Sequence, residues 1–380
     1  MRVEVSPEVI GWAKDRSGVD EISLARRFPK LEEWEEGRIS PTLKQLEDFA
    51  KATHTPVGFL FLREPPEETV PIPDYRTMAD AGVHRPSADL LDTIFQCQQR
   101  QEWYRSWAQV NQEERVGFVG SLSTATSVVV AAAAMRHALH FDVSERGTTF
   151  TEALRRLAEA AEGSGVLVMV NGIVGANTHR KLDPREFRGF ALVESLAPLV
   201  FVNGADTKAA QIFTLAHELA HVWLGASALS DADLTGSPTV DAEKWCNRVA
   251  AEFLVPSVAV TAEYQAAADL TAELDRLAGR FKVSTLVVLR RIHDIGRLSW
   301  EQFRAAYRDE LDRIIANLGE RADSGGNFYN TQPVRVSKRF ARALISSTLE
   351  GQTLYTEAFE MLGFRKLSTF NELAERLGAR

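Results

Sequence analysis

His217, Glu218, His221, Glu243 and Asn247 are the residues whose types and spacing could do chemistry, and that chemistry is metal-assisted hydrolysis. In His217-Glu218-Leu219-Ala220-His221 the two imidazoles are four residues apart. On a helix, side chains at that spacing lie one above the other and can reach one cation together. Glu218 can then sit beside the metal without ligating it and take a proton from a metal-bound water. Zinc lowers the pKa of such a water toward neutrality, and the carboxylate completes the deprotonation. A catalytic zinc takes three protein ligands and keeps one position open. The expected third ligand lies on the next helical stretch, DAEKWCNRVAAEFLVP. There Glu243 and Asn247 share a face, so Glu243 is expected to ligate. Asn247 is expected to hydrogen-bond a ligand imidazole and fix its tautomer. Glu252, about two and a half turns further on, and Asp241 compete for the ligand role.

The elements that must position these groups follow from periodicity. The histidines sit in AQIFTLAHELAHVWLGA, whose Ile212, Leu215, Ala216, Leu219 and Val222 form an apolar face and which ends near Gly225. Helices are expected at about 207–225, 240–254 and 257–266, and upstream at 86–110, 125–140 and 149–163. Short apolar runs at Val166–Val170, Phe187–Glu194 and Leu199–Val202 read as strands, with Ser195–Pro198 as a hairpin turn. Phe187–Glu194 suits an edge strand that pairs with an extended substrate, and proline at Gly189 or Ala191 would then block cleavage and spare the fold. Residues 270–318 read as mostly helical. A stretch rich in Gly, Asn and Pro, Asp323–Pro333, precedes a last helical segment.

At the N-terminus, Ser6-Pro7 opens a helix, a third short helix holds Leu31 and Trp34 and stops at Gly37, and Ser40-Pro41-Thr42 opens a fourth. Glu64–Pro73, with four prolines, reads as a linker. The whole is expected to be α+β and mostly helical. It divides into an N-terminal helical bundle (1–65), a linker and connecting helix (66–122), a hydrolase domain with a small sheet (123–318) and a C-terminal helical segment (319–380).

Composition narrows the class. A chain of 380 residues, 45% hydrophobic and 25% charged, carries enough apolar material for at least one full core. The net charge of −8 excludes a general polyanion binder. Two distant cysteines, Cys97 and Cys246, argue against a disulfide framework and for a cytoplasmic location. The N-terminus lacks an apolar signal, and the run Ser127–Met135 is too short for a membrane span.

The strand-to-helix stretch PLVFVNGADTKAAQIFTLAHELAHVWLG, the segment EKWCNRVAAEFLVP and the trailing FKVSTLVVLRRIHDIGRLS resemble the ImmA/IrrE family of metallopeptidases over about residues 165–300. The resemblance implies a zincin-like domain in which His217, His221 and Glu243 bind zinc and Glu218 is the base. ISLARRFPKLEEWEEGRISPTLKQLEDFAKATHTP resembles the helix-turn-helix domain of Xre-type (Cro/C1-like) regulators. Yet residues 1–65 hold ten Lys/Arg against twelve Asp/Glu, and the expected recognition helix, PKLEEWEE, is acidic. That departs from a surface that meets phosphates. A basic row, Arg335, Lys338, Arg339 and Arg342, could instead touch nucleic acid or an acidic partner, or be a solvated helix face. His179, Tyr264 and His293 are candidates for stabilising an oxyanion. The expected function is a zinc-dependent endopeptidase that cleaves a specific cytoplasmic regulator of repressor or antitoxin type. The alternative is a non-catalytic regulator or antitoxin-like component that binds a neighbouring toxin. In either case the partner is a protein, DNA contact is secondary, no membrane is involved, and a homodimer is compatible.

Overall fold

The computed structural model describes residues 2–74, 86–230, 241–318 and 328–379. The chain divides into two compact units, one of residues 1–71 with 83–94, the other of 72–82 with 95–380.

The first unit is a helical bundle: α1 (Pro7–Ser17), α2 (Glu21–Arg27), α3 (Leu31–Glu35) and α4 (Leu43–Ala52), closed by a 3-10 turn at Val57–Phe61. Local chemistry sets each boundary. Proline sits in the first turn of α1, and Gly18 ends it in the left-handed region at φ 60°. Asp20 caps α2. Thr42 and Gln45 form a reciprocal capping box at α4. Trp12, Phe28, Leu31, Trp34 and Phe49 pack together in the core. The proline-rich stretch after it is anchored: Arg16 donates to both carboxylate oxygens of Glu68 at 2.8 and 2.7 Å. The helix α5 (Ala88–Val110) begins in this unit and continues into the second.

The second unit starts its own helices with α6 (Val128–Leu139) and α7 (Phe150–Gly163), followed by β1 (Leu167–Asn171), β2 (Ile173–Val174), β3 (Asn177–Lys181), β4 (Gly189–Leu192) and β5 (Leu199–Asn203). Next come α8 (Lys208–Leu224), β6 (Ala228–Ser230), α9 (Asp241–Leu254), α10 (Ser257–Glu263), α11 (Leu270–Phe281), α12 (Thr285–Asp294) and α13 (Trp300–Leu318). The chain closes with α14 (Phe328–Val336), α15 (Lys338–Leu349), α16 (Tyr355–Leu362) and α17 (Leu367–Leu377). Four strands form one mixed sheet in the order β1-β5-β4-β6, and β2 and β3 form a separate hairpin. β1 and β5 are parallel; β4 runs antiparallel to both β5 and β6. The hairpin expected at Ser195–Pro198 joins β4 to β5.

The register assigns the sheet's two faces. Val168, Val170, Val200, Val202 and Ala191 share one face and bury against α7 and α8 in the main core. Met169, Phe201 and Phe190 lie on the other, where α14 and α15 pack against β1.

Two expectations are corrected. The strand within Phe187–Glu194 is interior, because β6 pairs with β4 at Phe190↔Leu229 and Ala191↔Ala228. β6 is itself met on the far side, where Leu229 N–H donates to the Pro73 carbonyl at 2.9 Å. Proline at Gly189 or Ala191 would therefore break the sheet and not merely block a substrate edge. Second, α14 runs through Pro333, so helix occupies the end of the stretch expected to be irregular; residues 323–327 of that stretch lie outside the described residues. No described helix is long and apolar enough to cross a membrane.

Candidate metal centre

The site helix α8 is held at both ends. Thr207 caps its first turn by accepting from Ala210 N–H. Its last carbonyls are met from within α8's own cap, where Gly225 turns at φ 78°, and by a distant segment: Gly120 and Leu122 N–H groups donate to Val222 and Trp223. Phe118 stacks on Trp223 at 3.8 Å between centroids. A side chain at Gly225 would place its Cβ 2.9 Å from the Gly120 Cα, so both close approach and backbone sign demand glycine there.

Along α8 every residue from Gln211 to Trp223 is buried. Apolar neighbours account for most of that burial, but His217, Glu218 and His221 are each fully buried too. Such a row of polar groups inside a core demands partners. α9, packed alongside, supplies one: Glu243 places Oε2 3.3 Å from His217 Nε2 and Oε1 2.9 Å from His221 Nε2. The two Nε2 atoms are 3.1 Å apart. One donor atom from each of the three residues lies within 4.8 Å of the others.

The electrostatics suit a cation. Burial works against the Glu243 charge, but the two imidazoles more than offset it and hold the carboxylate well below its usual range. Burial also depresses His217, yet Glu243, Glu218 and Asn247 together raise it above an ordinary histidine. His221 is lowered, chiefly by burial. Two nitrogens and an ionised carboxylate, converging in a buried space, are a borderline-soft, three-donor set of the kind that holds a divalent transition metal. The residues present fit a metal.

Asn247, one turn beyond Glu243, is buried beside His217 and acts on its ring. Glu218 has both carboxylate oxygens shielded from solvent. It lies against β4, where a Cβ at Gly189 would come within 3.2 Å of Glu218 Cγ, 2.6 Å of Thr214 Cγ2 and 2.8 Å of the Phe201 carbonyl oxygen. Gly189 is thus what lets the strand approach the helix at this carboxylate. The sequence marks it only as a glycine inside a strand pattern, a sign of close backbone approach.

The competing candidates have other occupations. Glu252 pairs with Arg291 and accepts from both Ser257 N–H and Ser257 Oγ at 3.1 Å, so it fastens the start of α10. Asp241 is exposed near Lys244. His293 donates from Nδ1 to the Leu298 carbonyl and stacks on Phe303. His179 is exposed on the β2–β3 hairpin. Cys246 is buried, and burial with the charges of Glu243 and Glu218 pushes its thiol up, which keeps it protonated and inert.

The basic row does not form a free stripe. Lys338 pairs with Glu159 at 2.7 Å, Arg339 with Glu113 at 3.0 Å and with the Tyr104 hydroxyl, and Arg342 donates to the Leu377 carbonyl. Arg335 is half-buried. Lys338 and Arg339 fasten the C-terminal helices to the rest of their unit, and Arg342 ties α15 to α17.

No curated protein and no solved structure matches the chain. Residues 336–376, from the end of α14 through most of α17, match a domain of unknown function. Over residues 161–293, a span from the end of α7 through nearly all of α12 that contains the three convergent donors, the chain is similar to the IrrE N-terminal-like domain, a metallopeptidase family.

Proposed function

We propose that the protein is a zinc-dependent endopeptidase acting on a specific regulatory protein of repressor or antitoxin type. The observation that carries this reading is the convergence of His217, His221 and Glu243 within 4.8 Å, on buried helices, with Glu218 next to His217 in the chain. When bound there, zinc supplies a Lewis acid that polarises a carbonyl and makes water more acidic. His217, His221 and Glu243 would hold it. The Glu218 carboxylate takes the proton of the attacking water and returns it to the departing amine nitrogen. Both Glu218 oxygens are shielded from solvent, which places the carboxylate in the dry interior beside the three donors. Asn247 orients the His217 ring, and Gly189 leaves room for Glu218 beside β4.

The N-terminal bundle is the element that would select the target. Its α3 is only five residues long and buries Leu31 and Trp34, while Glu32 and, just past the helix, Glu36 are exposed. That surface favours a protein partner over a phosphate backbone. A basic partner surface is the complement such a face calls for.

The test is a substrate trap. Wild type and Glu218→Gln are purified from native cells, and co-purifying proteins are identified by mass spectrometry. The variant is expected to retain zinc and hold one protein intact that wild type clips, with cleavage down at least about 100-fold. A partner held intact by both forms would instead favour a binding module without catalysis.

A further inference from the structure

Outside the metal centre, Arg100 on α5 is a buried charge, only 7% exposed. Its Nε donates to the Met361 carbonyl at 3.1 Å, and its Nη1 lies 3.9 Å from Met169 Sδ. Among the described residues no carboxylate pairs with it, and its Nη2 makes no hydrogen bond. The carbonyl end of α16 offsets part of the charge. The remainder is a buried guanidinium without a counter-ion, which is costly unless something else supplies one.

Arg100 lines a cleft of about 1370 Å³. One wall is α5, with Gln96, Gln99 and Trp103; the second is the β2–β3 hairpin, with Asn177 and Arg180; the third is α16 and its continuation, with Phe359 and Arg365. Three lining glutamates, Glu102, Glu357 and Glu360, are exposed, and Glu102 already pairs with Arg105 at 2.7 Å. The charge in the depth of the cleft is therefore positive. The third wall belongs to the stretch that matches a domain of unknown function.

This is a separate site from the metal centre. Met169, which touches Arg100, lies on the face of the sheet opposite Val168 and Val170, and those valines pack toward α8.

We propose that the cleft binds a nucleoside phosphate. Arg100 and Arg180, with Arg365 at the rim, match a multiply charged phosphate through charge-assisted, forked hydrogen bonds. Trp103 and Phe359 bring aromatic surface to the lining, which suits a planar base. The amides of Gln96, Gln99 and Asn177 each present a donor and an acceptor, which is what the edge of a base requires. The volume exceeds that of a typical small-ligand pocket and accommodates base, sugar and phosphates together.

The test is calorimetric titration of the full-length protein with ATP, with AMP and with inorganic phosphate. ATP is expected to bind, AMP more weakly and phosphate more weakly still. Arg180→Gln and Arg365→Gln should each weaken ATP several-fold, and Arg100→Gln by about tenfold or more, with part restored in Arg100→Lys. Because Arg100 also holds the end of α16, the melting curve of each variant is recorded. If Arg100→Gln does not fold, Arg180→Gln decides. Absence of binding at millimolar ATP would overturn the proposal. So would phosphate binding as tightly as ATP, or an ATP affinity indifferent to both Arg180→Gln and Arg365→Gln, the result expected if phosphates meet only the metal centre.

Discussion

Asn247 shows how a side chain that donates nothing to the cation can still govern the centre. It stands buried beside His217, where its amide is placed to steady the ring whose Nε2 faces the convergence point. Asn247→Ala is expected to lower zinc affinity about 10- to 100-fold, read by competition against a chromophoric chelator; unchanged affinity would remove Asn247 from the account. The residues that could do chemistry were legible in the sequence because helical spacing alone decides which side chains share a face. His217 with His221, and Glu243 with Asn247, are two pairs each set by a step of four. What spacing could not decide was Glu243 against Glu252, since both lie on α9 and both are buried. That choice depends on Arg291 and Ser257, which reach Glu252 from other elements.

At the level of elements, the centre depends on close approaches that only tertiary structure reveals. β4 can lie against α8 because Gly189 has no side chain. Gly189→Ala is expected to cost about 1–3 kcal/mol in urea unfolding and to depress cleavage further by displacing Glu218, with zinc still bound. A stability equal to wild type would show that the strand can move away freely. Arg146 is a second such device. It is buried and donates to the Phe253, Leu254 and Phe281 carbonyls, so one guanidinium closes the ends of both α9 and α11. The negative ends of the two helix dipoles supply the counter-charge that no carboxylate provides. Arg146→Met leaves the Leu254 and Phe281 carbonyls without that donor and should destabilise the unit by on the order of 3 kcal/mol, measured as a fall in the thermal midpoint. The strands at β1, β4 and β5 were readable from their apolar runs. The three-residue β6 was not, and its absence from the sequence reading is why β4 was taken for an edge.

Across the whole molecule, the C-terminal helices are bound into the same compact unit as the sheet. Arginines and lysines at helical spacing look alike whether water or a distant glutamate faces them, so the row from Arg335 to Arg342 read as a surface. Lys338 and Arg339 instead meet Glu159 and Glu113. The same joint holds Glu162, whose carboxyl is raised by burial although the Ser337 hydroxyl donates to it at 2.5 Å. Its folded form therefore keeps a proton that the unfolded chain releases. The sign follows: its contribution to stability is full below the ordinary glutamate range and declines as pH rises through the folded value. Glu162→Gln should flatten the fall in unfolding midpoint over the pH range just above the ordinary glutamate value. An identical slope in both proteins would exclude Glu162 as its source.

The position of α14 and α15 against β1 bears on biosynthesis. A chain made from its N-terminus presents His217, His221 and Glu243 well before the helices that cover the outer face of their sheet. The nascent domain thus holds a complete donor set on an unfinished scaffold. A ribosome stalled before residue 328 would carry the three donors with α14 and α15 still missing from the face of β1.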